Sequence, residues 1–302
     1  MTRLLSEYGG LLRNLWPISR ALAQSARVSL RGAESARITA TPADVPELWV
    51  PSGRDSRVGV MSYLEVTDAE DLAVGSLEIL PPLYFLTGMI RPYVELITCR
   101  TLGLSLFGIL HVQNDLIIHR PLYRRESFVC RVLVERIHSD DQRSLVTVRG
   151  DTLVQGKLTS EMRTLLLTGN PASAGEAAAT ASPSGDGEWQ TVRSVRFPER
   201  LGLRYAGLTG DVNPIHLHPV TSRPFGFPRP IAHGFCVKAV IAHALIRELG
   251  GGAMESLRRL RLRFRAPIPL PSAGLVQVWK NQVRLVDRRG LLLASGRFGV
   301  RR

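Results

Sequence analysis

The sequence lacks any apolar run long enough to cross a membrane. No stretch of roughly 18 or more apolar residues occurs, and the most hydrophobic stretches, around 79–90 and 235–246, are interrupted by Pro, Gly, Lys or His. The opening segment, residues 1–31, also lacks the apolar core and small-residue cleavage site of a secretory signal. We therefore expect a globular protein without membrane contact.

Cysteine is also scarce. The three cysteines are odd in number, widely spaced and set among apolar neighbours: Cys99, Cys130 and Cys236. This pattern favours buried reduced thiols over a disulfide framework. We therefore predict a cytoplasmic location.

Acidic residues are depleted in only one half of the chain. Residues 1–184 carry 19 Lys plus Arg against 19 Asp plus Glu, whereas residues 185–302 carry 20 against 7, so the whole net charge of +13 lies in the second half. Such a field attracts polyanions: nucleic acid, anionic lipid, or a polyanionic small molecule or protein. No nucleic-acid-binding module or aromatic platform accompanies it, so we predict no nucleic-acid partner. A merely basic surface is the alternative.

A small, polar segment divides the chain. Residues 170–188 have no periodic apolar face, as in a flexible linker. On each side an apolar helix, over 86–99 and over 232–245, precedes several strand-like segments, which indicates an internal repeat. We predict a partly helical N-terminal extension (1–60), followed by a first unit (61–169), the linker and a second unit (189–302). The amphipathic start of the extension could dock on a membrane surface or a partner, although such a helix more often packs on its own domain.

The strand-like segments are rich in branched residues; they lie at 117–121, 127–135, 144–149, 161–167, 260–267, 274–280 and 291–298. One helix followed by an antiparallel sheet, twice, predicts an α+β fold. We expect the two sheets to pair edge to edge, because that covers exposed strand edges. Along 260–265 the apolar residues alternate with a row of cations: Arg261, Arg263 and Arg265.

The segment from Tyr205 to Gly234 is the richest in chemistry. Gly210 permits a tight turn and Asn213-Pro214 stops a helix, so we place Asp211 and His216 on an irregular loop. A carboxylate and an imidazole five residues apart can converge on one water as a general acid/base pair. Gly234 would begin the second helix, where a free amide and the helix dipole can stabilise an oxyanion.

Plainer interpretations of these residues exist. Asp211 and His216 could form a merely structural turn. The spacing of His216, His218, His233 and Cys236 lacks a second cysteine pair, so we predict neither a metal nor another cofactor. The thiol of Cys236 is expected to pack rather than to act as a nucleophile, and Lys238 to face either phosphates or solvent.

The pattern Tyr205-x-x-Leu-Thr-Gly-Asp-x-Asn-Pro-Ile-His216, with Ser222 six residues on and Ile231-Ala-His-Gly234 downstream, resembles the hydratase motif of the MaoC-like family. That family includes (R)-specific enoyl-CoA hydratases and 3-hydroxyacyl-thioester dehydratases of the hotdog fold, a long helix wrapped by an antiparallel sheet. The repeat then looks like a double hotdog. The first half, at 81–84 and 108–121, resembles two-domain mycobacterial 3-hydroxyacyl-thioester dehydratases, so the resemblance covers roughly residues 60 to 302.

The resemblance implies roles for the residues of the motif. Asp211 and His216 would activate the water added at C3 of a trans-2-enoyl thioester and shuttle the proton at C2, and the Gly234 amide would bind the thioester carbonyl. The remaining predicted substrate-binding residues are Asn213, which would also brace the loop, His233, Arg261, Arg263 and Arg265; the arginines would meet CoA phosphates or an acidic acyl carrier protein. Where some members carry a supporting Ser on the helix this chain has Ala242, so that support would be either absent or supplied by His243.

The first half lacks the motif, so the resemblance implies a degenerate, non-catalytic hotdog with room for a long acyl tail. Its histidines, His111, His119 and His138, would then be structural. The expected activity is reversible hydration and dehydration of acyl thioesters in fatty-acid metabolism. A non-catalytic acyl-thioester binding protein and a hotdog thioesterase are the alternatives. Because one chain supplies both hotdogs, either a monomer or a homodimer is expected.

Overall fold

The computed structural model describes residues 38–52, 57–73, 77–102, 104, 109–140, 143–169 and 187–301. The predicted amphipathic start of the chain lies outside these residues, as does nearly all of the predicted linker. Within them, no helix combines the length and the apolar character needed to cross a bilayer.

A single antiparallel sheet organises the described part of the chain. Its strands are β1 (Leu48–Ser52), β2 (Leu110–Ile118), β3 (Phe128–Ser139), β4 (Arg143–Val154), β5 (Lys157–Gly169), β6 (Gln190–Phe197), β7 (Leu257–Phe264), β8 (Ser272–Trp279), β9 (Gln282–Asp287) and β10 (Leu292–Val300). They lie in the order β1-β3-β4-β5-β2-β7-β10-β9-β8-β6. The first five strands therefore form one half of the sheet and the last five the other, joined where β2 pairs with β7.

Five helices accompany the sheet in the described part of the chain, and the two longest are buried against it. The helices are α1 (Arg57–Val66), α2 (Leu86–Ile97), α3 (Leu201–Thr209), α4 (Pro219–Ser222) and α5 (Gly234–Leu249), with short 3₁₀ turns at Pro42–Asp44, Glu70–Ala73, Pro214–His216, Arg223–Phe225 and Met254–Ser256. Helix α2 packs on β1 and β3, and α5 on β6 and β7. Every residue of α5 from Phe235 to Ile246 is buried, as expected of a helix that is apolar on all sides. One continuous core runs through both halves.

The seam between the halves contains a buried lysine, and desolvation lowers its pKa well below the ordinary value, with Asp115 opposing. Lys238 of α5 is fully buried, and its Nζ donates to the carbonyl oxygen of Leu260 at 2.7 Å, to that of Asn114 at 3.3 Å and to the Asn114 side chain. Asn114 lies on β2 and Leu260 on β7. The side chain that we expected to face phosphates or solvent therefore joins the two halves, because three oxygens replace its hydration.

The architecture confirms the predicted α+β fold and the continuous sheet. Each half is a long helix wrapped by antiparallel strands, which is the double-hotdog arrangement. Both predicted helices are present, with α5 beginning at Gly234. Three strands were missed, namely β1, β6 and β9. Strand β1 lies within the predicted N-terminal extension and pairs with β3. The domain boundaries at 61, 170 and 189 stay a prediction.

Candidate active site

The loop after α3 carries the predicted acid/base pair. Gly210 ends α3 with a φ of 80°, in the left-handed region that glycine tolerates, and its amide donates to Ala206 at 2.8 Å. A carboxylate oxygen of Asp211 then accepts from the Asn213 amide at 3.4 Å, and the Asn213 side chain accepts from the Ile215 amide at 3.4 Å. The irregular loop is confirmed, and it ends in one 3₁₀ turn at His216.

Hydrogen bonds fix the orientation of the two imidazoles behind this loop. His216 Nδ1 lies 2.8 Å from the carbonyl oxygen of Ile231, and since a carbonyl only accepts, Nδ1 carries the proton and Nε2 the lone pair. The His233 ring stacks on that of His216, with 3.9 Å between centroids. His233 Nε2 donates to the backbone oxygen of Asp211 at 2.9 Å. His233 therefore ties the two predicted catalytic residues together.

Burial shifts the two titrating groups toward their neutral forms. Desolvation raises the pKa of Asp211, while His216 and the Asn213 amide oppose that rise. Desolvation lowers the pKa of His216 to about 3, helped by His233 and opposed by Asp211 and the Ile231 carbonyl. At neutral pH His216 is thus an uncharged base. A carboxyl and an imidazole perturbed in this way are typical of acid/base sites.

A cavity of about 800 Å³ opens beside this pair. The second half contributes Asp211, Asn213, His216 and Gly234 to its wall. The first half contributes mostly apolar side chains, from α2, β2 and β5: Ile90, Tyr93, Val94, Ile97, Ile109, Leu110, His111, Val112, Leu166 and Leu167. Polar groups at one end and an apolar wall at the other suit a ligand with a reactive head and a hydrocarbon tail.

Gly234 lies at the start of α5, facing the cavity. A Cβ atom there would lie 2.7 Å from Nδ1 of His111 and 3.3 Å from the ring of Phe264. Only glycine fits this spacing. The first amides of a helix have no intrahelical acceptor, so the Gly234 N–H is available to an oxygen in the cavity.

His111 and Tyr93 of the first half were missed as site residues. The ring of His111 lies between those of Phe235 and Phe264, with centroids 4.6 and 4.8 Å away. Burial, Lys238 and His216 lower its pKa to about 3, with the Gln113 backbone opposing them, so it is uncharged at neutral pH. No local motif marks either residue. The pairing of β2 with β7 brings His111 to the site, and the contact of Tyr93 with Phe235 brings α2 to it.

The three predicted carrier-binding arginines separate in the structure. Arg265 lines the cavity, and its Nε donates to the Ser295 hydroxyl at 3.1 Å. Arg261 and Arg263 are not among the cavity-lining residues. Leu260 and Leu262 are buried whereas Arg261 is exposed, as strand alternation requires. Two of the three cations therefore lie on the face of β7 that points away from the helices.

His243 does not support the Asp211 carboxylate. Its Nδ1 lies 3.5 Å from the carbonyl oxygen of Thr67, and its ring meets Tyr63 edge to face at 6.1 Å. The alternative in which His243 supplies this support is therefore wrong, because its side chain points to Tyr63 of α1 and to Thr67 rather than to the loop. Among the described side chains, no group of three or more His, Cys, Asp or Glu residues is placed to hold a metal ion.

Fold and site together define a hotdog protein with a buried Asp–His pair in an apolar cavity. Residues 182–294 match the family model of the MaoC like domain. The match falls within the second half of the chain, which contains Asp211, His216 and Gly234.

Similar proteins have been characterised. The 3-hydroxyacyl-thioester dehydratase Y of Mycobacterium tuberculosis is 28% identical over 185 residues, which are 58% of this chain and 63% of that protein. The peroxisomal enoyl-CoA hydratase 2 of Arabidopsis thaliana is 23% identical over 195 residues, 59% of this chain and 62% of that protein. Each match spans less than two thirds of the relative.

Solved structures show the same fold. The crystal structure of HtdX from M. tuberculosis superposes with a TM-score of 0.68 at 21% identity, covering 84% of this chain and all of that one. A MaoC-like dehydratase from Phytophthora capsici gives 0.68 at 17% identity, covering 85% of this chain and 96% of that one. The double-hotdog prediction is thereby confirmed.

Proposed function

We propose that this protein is a hydro-lyase that interconverts trans-2-enoyl and (R)-3-hydroxyacyl thioesters in fatty-acid metabolism. The observation that carries the proposal is the convergence of Asp211, His216 and the Gly234 amide on one apolar cavity. The names of the relatives, which are dehydratases and hydratases, support the same reaction.

Each group has a role that its geometry supports. His216 presents the lone pair of Nε2, because Nδ1 is committed to Ile231, and so acts as a base. Asp211 and His216 hold the water. In hydration the water oxygen bonds to C3 as the double bond between C2 and C3 breaks, the proton that the water loses passes to the Asp211–His216 pair, and the pair delivers a proton to C2. Gly234 donates to the thioester oxygen as negative charge develops there. Asn213 braces the loop through the Asp211 carboxylate.

The first unit is proposed to hold the acyl tail without performing the proton transfers itself. Its cavity wall contains the apolar side chains of Val94, Ile97 and Leu167. Val94→Phe should therefore lower kcat/KM for a dodecenoyl thioester at least tenfold more than for a crotonyl thioester. A sharp optimum at the crotonyl length in the wild type would count against a tail site.

The carrier is proposed to be CoA or an acyl carrier protein. Arg265 at the cavity would meet its phosphates. Arg261 and Arg263, on the other face of β7, would meet only acidic side chains of a carrier protein that reaches that face. We propose a cytoplasmic location because Cys99 and Cys236 carry free thiols, as in a reducing compartment.

A monomer is favoured over a homodimer because the site is assembled within one chain.

The deciding experiment follows the ultraviolet absorbance of the conjugated enoyl thioester, with crotonyl-CoA and longer enoyl-CoAs. Asp211→Ala and His216→Ala should each lower the rate by about 10² to 10⁴-fold. The matched control is His138→Ala, since His138 is exposed on β3, and it should retain full activity. Wild-type activity no greater than that of the Asp211 and His216 variants would refute the proposal. Release of free thiol would identify a thioesterase.

A further inference from the structure

His233 lies behind the Asp211–His216 pair rather than in the wall of the cavity. Its neighbours in sequence, Ala232 and Gly234, both line the cavity, whereas His233 is not among the lining residues and is only 1% exposed. The contacts of its imidazole are thus with protein groups.

One of these contacts holds the backbone of Asp211. His233 Nε2 lies 2.9 Å from the Asp211 carbonyl oxygen, and because a carbonyl only accepts, Nε2 carries the proton. Two other hydrogen bonds of Asp211 are longer, from its amide to Thr209 Oγ1 at 3.3 Å and from the Asn213 amide to its carboxylate at 3.4 Å. The imidazole therefore supplies the shortest of these three bonds to the residue that carries the carboxylate.

A second contact restrains the ring of His216. The hydrogen bond between His216 Nδ1 and the Ile231 carbonyl fixes one atom of that ring, but the ring could still turn about this bond. The His233 ring packs on the His216 ring, with 3.9 Å between centroids and 31° between planes, and so removes that freedom. Nε2 of His216 is therefore held in one direction.

The imidazole of His233 makes both contacts in its uncharged form. Burial lowers its pKa to about 4, with the hydrogen bond to the Asp211 carbonyl opposing, so the ring is neutral at neutral pH. A neutral ring lies against His216 without charge repulsion, and its single N–H is committed to Asp211.

The backbone of His233 connects the same residue to the predicted oxyanion donor. His233 is the N-cap residue of α5, with φ −63° and ψ 134°, and its carbonyl accepts from the Val237 amide at 3.0 Å. Gly234 follows as the first residue of the helix. A displacement of His233 would therefore carry the Gly234 amide with it.

We propose that His233 is a positioning residue, which sets the geometry of Asp211, His216 and the Gly234 amide relative to one another. It touches no reacting atom and exchanges no proton during the reaction. A misplacement of about 1 Å can cost about 10²-fold in rate, so a residue behind the site can affect kcat strongly. This inference rests on the proposed function and explains how its three groups are kept in register.

Three substitutions separate the two side-chain contacts. His233→Phe keeps a ring against His216 and removes the donor to Asp211, His233→Gln keeps a donor near the place of Nε2 and removes the ring, and His233→Leu removes both. For crotonyl-CoA hydration, His233→Leu should lower kcat by about 100-fold and change KM by less than about threefold. His233→Phe and His233→Gln should each recover about tenfold of that loss, since each restores one contact.

His243→Leu is the matched control, because His243 is a fully buried histidine of α5 that does not line the cavity. Its kcat and KM should equal those of the wild type. Wild-type kcat in His233→Leu, or equal losses in all three His233 variants, would overturn the inference. A loss confined to KM would overturn it as well, because that result would indicate a direct contact with the substrate.

Crystal structures of the variants test the inference independently of activity. In His233→Leu, Asp211 and the ring of His216 should each move by more than about 0.5 Å, which is the tolerance of a productive site. In His233→Phe only Asp211 should move, and in His233→Gln only the His216 ring, so these two variants give the same test if His233→Leu does not fold. Unchanged positions would overturn the inference. A wild-type protein that hydrates no enoyl-CoA would instead end the proposed function and leave these displacements to decide the role of His233.

Discussion

The buried histidine of α5 predicts how the stability of the fold depends on pH. Burial lowers the pKa of His243 to about 4, with Arg247 assisting and Thr67 and Asp71 opposing, against 6.5 for the unfolded chain. Because the folded-state pKa is the lower one, this contribution to stability is present above pH 6.5. It is lost as the pH falls from 6.5 toward 4, where the unfolded chain binds the proton and the folded chain does not.

The magnitude follows from the two pKa values. Each pH unit between them costs about 1.4 kcal/mol, so lowering the pH from 7 to 5 should remove about 2 kcal/mol of unfolding free energy through His243 alone. His243→Leu should abolish that share of the loss. His243 contacts α1 and Thr67 rather than the cavity, so the effect can be measured without disturbing the Asp211–His216 pair.

The assay is urea unfolding at pH 7 and pH 5, followed by tryptophan fluorescence, for the wild type and His243→Leu. The quantity compared is the difference in unfolding free energy between the two pH values, which is insensitive to any change in packing common to both. The variant should lose about 2 kcal/mol less than the wild type. Equal losses in the two proteins would refute the reasoning, because His243 would then titrate alike in the folded and unfolded chains.

Two further predictions concern the site. Asp211→Asn should raise the melting temperature, and more at pH 8 than at pH 4, because burial raises the folded-state pKa above 3.8 and the ionised carboxylate becomes more costly as the pH rises through that range; an equal increase at both pH values would contradict this. Gly234→Ala should lower kcat/KM at least tenfold and the unfolding free energy by about 1–3 kcal/mol, because its Cβ would overlap His111. Gly299→Ala, whose Cβ would meet nothing closer than 3.8 Å, is the control in the same assays.

Patterns among neighbouring residues predicted the catalytic loop and the start of α5, because both depend on short-range sequence. Gly210 and the Asn213-Pro214 pair predicted the loop, and the apolar residues after Gly234 predicted the start of α5. The lysine at 238 was misjudged although its neighbours on every side of the helix are apolar. That uniform apolar character was the available signal that its amino group is buried.

The missed features depend on long-range pairing. Strands β6 and β9 are short and lie toward one edge of the sheet, and β6 begins with exposed polar residues, so neither shows clear alternation. His111 reaches the site because β2 pairs with β7, more than a hundred residues away in sequence. Tyr93 reaches it because α2 contacts Phe235 of α5, which is equally distant. No spacing rule within the first unit could have predicted that partnership.

The hydrogen bonds of Lys238 at the seam limit which first and second units can be combined in one chain. The amino group of Lys238 in one unit donates to oxygens of both units, so a first unit inherited from another chain would need an acceptor equivalent to Asn114 at the same place. A mismatched pair would leave a buried polar group short of hydrogen-bond partners, which is costly in a protein interior. The two units therefore constrain each other as an inherited pair, even though a segment of small polar residues separates them in sequence.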